Sequence, residues 1–76
     1  MNPTSLLEKL RILLTHWVEH NREHLEEFRR WAAQAEQADQ MEVASHLNAA
    51  AAGMEGVNGR LLAALDTIGG PLEKQK

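Results

Sequence analysis

Three histidines stand four residues apart, His16, His20 and His24, and each is followed three positions on by a glutamate, Glu19, Glu23 and Glu27. In a helix, residues three and four apart share a side. The pattern therefore lays three His-x-x-Glu steps along one stripe of one helix. Imidazole nitrogen and carboxylate oxygen are the usual protein ligands of borderline divalent cations such as nickel, cobalt, zinc and iron. Bound metal is the chemistry these residue types suggest, with His20, His24 and Glu27 as the principal candidate ligands and His16 and Glu23 as outer or alternative ones.

Those residues need a scaffold, and the surrounding sequence describes one. From Ser5 to Ala38 there is neither glycine nor proline, and apolar residues recur at helical spacing through Leu6, Leu10, Leu13, Leu14, Trp17, Leu25, Phe28, Trp31, Ala32 and Ala35. Ser5 and Glu8 have capping-box spacing, so a helix is expected over 5–38. At the standard rise it would be roughly 50 Å long. The polar stretch Gln37 to Gln40 reads as a turn, with Asp39 as the N-cap of a second helix. That helix is expected over 41–68, carrying Val43, Leu47, Ala50, Met54, Val57, Leu61, Leu65 and Ile68. It ends at Gly69-Gly70-Pro71, where glycine supplies a left-handed residue, and a tail over 71–76 completes the chain. Gly53, Gly56 and Gly59 are odd inside such a helix, since each costs about 1 kcal/mol against alanine. They leave open an interruption near 53–59, but the apolar residues on either side keep phase.

Placing side chains about 100° apart centres the apolar face of the first helix on Leu10, Trp17, Phe28 and Ala35, with His24 almost on that centre. Asn21 falls inside the arc, His20 and Glu27 at its border, His16 further out, and Glu23 and Glu19 further still. In an antiparallel hairpin turning near Asp39, Asn58 comes level with Asn21 and Met54 with His24. A hydrogen bond between the two asparagines is the simplest account of polar residues in that position. A buried His, Asn or Glu without a partner costs several kcal/mol. A divalent cation would compensate for that, and so would a His–Asn–Glu hydrogen-bond network that fixes the pairing of two chains. His46 lies at the edge of its helix and reads as solvent-facing.

Bulk properties narrow the field. The chain has 76 residues, one domain at most, with no cysteine for a disulfide or a thiolate ligand. A net charge of −3 argues against nucleic acid as a partner. No apolar run reaches the roughly 18 residues of a membrane span, and no leader is seen, so a cytoplasmic protein is expected. The expected architecture is all-α: a single-domain, two-helix antiparallel hairpin over 1–76. One apolar stripe per helix cannot be covered within a lone hairpin, so a homodimer forming a four-helix bundle is expected.

No catalytic arrangement stands out. There is no Ser/His/Asp order, and the glycines do not follow a strand. His16 to His20 matches H-x-x-E-H, but that motif needs a third ligand and a cleft from a larger fold. The Glu-x-x-His order of ferritin-like di-metal bundles is reversed here. The expected role is therefore non-catalytic: metal storage, delivery or sensing, or alternatively a dimerisation or adaptor module without ligand.

The run His16-Trp17-Val18-Glu19-His20-Asn21-Arg22-Glu23-His24, continuing to Glu27-Phe28-Arg29-Arg30-Trp31-Ala32, resembles a small helical-hairpin family of poorly defined function. Its pattern is H-W-x-x-H-N-x-x-H followed by E-F-x-x-W-A. The resemblance covers residues 13–35. It implies a link to transition-metal handling and marks His20, Asn21, His24 and Glu27. The glycine-studded second helix departs from that family's pattern.

Overall fold

The computed structural model describes residues 3–71, with side chains from Ser5 onward. Two helices, α1 over Pro3–Gln37 and α2 over Met41–Thr67, pack against each other as an antiparallel hairpin. The all-α hairpin expected from the sequence is thus present, with helix ends within two residues of expectation. α2 runs unbroken through Gly53, Gly56 and Gly59. Most of the tail expected over 71–76 lies outside the described residues.

Both helices end in the same backbone device. At the end of α1 the Gln40 N–H donates to the Ala35 carbonyl at 2.8 Å, and the Asp39 N–H donates to the Glu36 carbonyl at 3.0 Å. At the end of α2 the Gly70 N–H donates to the Leu65 carbonyl at 2.9 Å, and the Gly69 N–H to the Asp66 carbonyl at 3.2 Å. This pairing is the Schellman motif, which requires a left-handed residue just past the helix. Gly69 fills that place with φ 105°, as the sequence implied, and Asp39 fills the other with φ 63°. Asp39 therefore terminates α1 instead of capping α2. The residue ahead of α2 is Gln40, whose side chain makes no capping bond. Likewise α1 begins at Pro3, a favoured first-turn residue, so Ser5 lies within the first turn and not ahead of it. Arg11 ties the far end of the hairpin: its Nε donates to the Gly70 carbonyl at 2.7 Å.

The interior is a regular 3–4 alternation. On α1 the sheltered residues are Leu14, Val18, Asn21, Leu25, Phe28, Ala32 and Ala35; on α2 they are Ala44, Leu47, Ala51, Met54, Asn58, Leu61, Leu65 and Ile68. Such spacing keeps one seam facing the partner helix in coiled-coil packing. Ala32, Ala44 and Ala51 are almost fully buried, so the two backbones approach closely. Leu14, Leu25 and Leu65 flank these alanines, each contributing about 1.5–3 kcal/mol of burial.

This seam differs from the face expected on α1. Its axis lies roughly 40° from the Leu10–Trp17 line: Phe28 and Ala35 are sheltered as expected, but Leu14, Val18, Leu25 and Ala32 are buried in place of Leu10 and Trp17. Trp17 and Trp31 remain 41% and 57% exposed. The sequence contains two heptad series offset by one residue, and α2 takes the one without tryptophan. The reason is polar as well as steric. Asn58 is 6% exposed, and it is satisfied by accepting from Asn21 Nδ2 at 3.0 Å and donating to the Val18 carbonyl at 3.1 Å. Those partners lie on the inner series.

Candidate functional site

Each residue that precedes a core position lies about 100° back around its helix. On α1 these are Leu13, Trp17, His20, His24, Glu27, Trp31 and Gln34; on α2 they are Val43, His46, Ala50, Gly53, Val57, Arg60, Ala64 and Thr67. Because the helices are antiparallel, the two rows come out on the same side of the hairpin and form one broad face whose large side chains are mainly apolar, with Glu27, Gln34 and Arg60 toward its edges. The residues one step past core positions form the opposite side: Thr15, Glu19, Glu26 and Ala33 with Ser45, Ala52, Gly59 and Asp66. Apart from Leu62, that side is polar or small, and it carries the ion pair of Arg29 with Glu55 at 2.9 Å. Of the ten large apolar side chains exposed among the described residues, six (Leu6, Leu13, Trp17, Trp31, Val43 and Val57) stand on the first face.

The histidines sit on that apolar face and along its edge. His24 is half-buried in its middle, and His20 is exposed one turn away at its border. Their rings meet edge to face, with centroids 4.6 Å apart and planes at 84°. The two Nε2 atoms approach to 3.1 Å. His16 stacks beside His20 at 6.2 Å, and Phe28 stacks beside His24 at 6.1 Å. The result is a ladder of four rings along α1, in which one pair of nitrogens converges.

That convergence allows two states. If one Nε2 carries hydrogen, it donates to the lone pair of the other. If both nitrogens present lone pairs, a cation must lie between them. Imidazole nitrogens about 2.0–2.1 Å from a tetrahedral ion are roughly 3.3 Å apart. A spacing of 3.1 Å is therefore reached by a chelate with little side-chain movement.

The other candidate ligands do not join the pair within one chain. His16, Glu23 and Glu27 are all outside the seam, and Glu27 lines a shallow depression with Arg30, Trp31 and Gln34. Among the described residues no group of three or more His, Asp or Glu is arranged to hold a metal ion. The desolvation expected to force a partner on His20 and Glu27 is likewise absent in a single chain, since both face solvent. Within the hairpin the polar network is the Asn21–Asn58–Val18 carbonyl chain, and no buried side-chain nitrogen or oxygen among the described residues is left without a partner. The hydrogen bond expected between Asn21 and Asn58 is present. His46 is solvent-facing as expected, 3.9 Å from Glu42. Among the described residues no helix is long and apolar enough to cross a membrane.

A two-helix hairpin with a polar inner clasp and an uncovered, histidine-bearing apolar face defines the class of this protein. The chain belongs to the family described as Domain of unknown function (DUF8180), whose model matches residues 10–68. It is 41% identical over 63 residues to an uncharacterised protein of Archaeoglobus fulgidus, a match covering 83% of this chain and all of that relative. No solved structure matches it. A family of poorly defined function is what the sequence motif implied.

Proposed function

We propose that this protein binds a divalent transition metal through His20 and His24, as a storage, delivery or sensing protein, and that it works as a homodimer in which two hairpins form a four-helix bundle. The observation that carries the metal reading is the approach of the two Nε2 atoms to 3.1 Å on an exposed stripe of α1. Nickel, cobalt, zinc and iron all accept imidazole nitrogen, so the donor set defines a class of ion and not one element. Glu27, one turn beyond His24, is a carboxylate on the same stripe, with His16 and Glu23 further round. The dimer reading rests on the uncovered face that holds Trp17 and Trp31.

A second reading has its own support. The Asn21–Asn58 clasp satisfies the interior without any ligand. A plain dimerisation or adaptor module of cytoplasmic type would then leave the histidines as an edge-to-face pair. Elemental mass spectrometry of the untagged protein beside its His24→Ala variant separates the two. Stoichiometric metal in the native chain that is lost in the variant supports the metal protein. No metal in either, after incubation with nickel, zinc, cobalt and iron, leaves the adaptor.

A further inference from the structure

We infer that the metal lies between two copies of this chain, held by His20 and His24 of each, so that metal binding and pairing of the apolar faces are one event. The inference rests on the metal reading above and specifies what completes the site.

The first argument is the count of donors. One chain brings together two imidazole nitrogens, and no group of three donors exists among its described residues. Zinc in closed protein sites takes four ligands, and the other borderline divalent ions take at least as many. The missing pair must come from elsewhere, and a second copy supplies an identical pair.

The second argument is where the pair sits. His24 occupies the middle of the uncovered face, between Trp17 and Trp31 along α1. Whatever covers those tryptophans also covers the histidine. The face has the two larger dimensions of the molecule, 54 by 24 Å, ample for the roughly 800 Å² per partner of a stable interface. Its charged side chains are Glu27 and Arg60, whereas the opposite side carries Glu19, Arg22, Glu26, Arg29, Glu55 and Asp66. A second copy covers the apolar rows of this face and leaves most of the charges in water.

The third argument is symmetry. α1 spans Pro3–Gln37, and the point midway between His20 and His24 falls close to its centre. A two-fold axis there lays α1 antiparallel on the α1 of the second copy over nearly its full length. It sets each His20 opposite the other copy's His24, each Leu13 opposite the other copy's Trp31, and each Trp17 opposite the other copy's Glu27. The same operation therefore assembles four imidazoles, covers Trp31 with Leu13 and brings Glu27 of each copy to the edge of the site, as an isologous contact allows.

The test is sedimentation velocity of the full chain with and without added zinc ion, combined with metal analysis of the dialysed species. The expected result is one ion per two chains, with self-association tightened at least about tenfold by the metal. Two variants carry the linkage. His20→Ala is expected to abolish the metal effect on association. Trp31→Glu, which alters an exposed side chain and leaves the hairpin interior intact, is expected to weaken both pairing and zinc affinity, because coupling is reciprocal. Circular dichroism confirms that both variants fold. Metal held one per chain on a monomer overturns this inference and leaves the metal reading standing. A dimer whose strength is indifferent to zinc overturns it too. The absence of any metal binding overturns both.

Discussion

Replacing Asn58 by alanine tests the polar clasp at the centre of the hairpin. Two hydrogen bonds disappear: the one donated by Asn58 Nδ2 to the Val18 carbonyl and the one accepted from Asn21 Nδ2. Val18 is 3% exposed and Asn58 6%, so water does not readily replace the first bond. Each bond is worth about 0.5–1.5 kcal/mol net, and the Asn21 carboxamide left half-buried adds to the loss. The expected cost is about 2 kcal/mol. For a domain of this size that lowers Tm by about 8–16 °C. Thermal and urea unfolding followed by circular dichroism, at one fixed chain concentration, reads the change. A cycle with Asn21→Ala and the double variant isolates the pair, and a coupling of about 1 kcal/mol is expected. An Asn58→Ala protein melting within about 2 °C of the native one, or strictly additive single variants, would refute the reasoning. The seam would then be set by apolar packing alone.

Two further substitutions test the backbone. Asp39→Gly is expected to stabilise the chain by about 0.5–1 kcal/mol, because glycine adopts the left-handed turn conformation at φ 63° without strain; a lower urea midpoint in this variant would mean that the Asp39 side chain itself holds the turn. Alanine at Gly53, Gly56 and Gly59 together is expected to add about 1.5–3 kcal/mol, since a Cβ at any of the three meets nothing within 4 Å. Nothing in the hairpin explains these glycines, and loss of stability in the triple variant would reveal a close approach to that side of α2.

Much of the molecule was legible in the sequence. The absence of glycine and proline from Ser5 to Ala38 wrote α1, and Gly69-Gly70-Pro71 wrote the end of α2. The Asn21–Asn58 bond came from counting outward from the turn, because antiparallel register is fixed once the turn is placed. The His20–His24 pair was legible as an i, i+4 neighbour on one stripe. Which way that stripe faces was not. A single-helix wheel weights the two tryptophans heavily and pulls the apparent centre toward Leu10 and Trp17. A signal for the true seam existed in the 3–4 alternation of Leu14, Val18, Asn21, Leu25 and Phe28, matched by Ala44, Leu47, Ala51, Met54 and Asn58. Reading it requires treating the two helices together. The Asp39 assignment failed for a related reason: an aspartate between helices serves as an N-cap or as a left-handed terminator, and only backbone direction distinguishes them.

By itself, then, the sequence determined two helices, their antiparallel register, a capable pair of imidazoles and an excess of apolar surface. These depend on residues within a turn or two of one another, where helical periodicity governs. Tertiary structure alone decided that the tryptophan series stays outside, that the carboxylates stand apart from the histidines, and that His20 and His24 converge on the uncovered side. Those outcomes depend on which surface of one helix fits the other, and buried alanines with a satisfied asparagine fit more closely than tryptophans do.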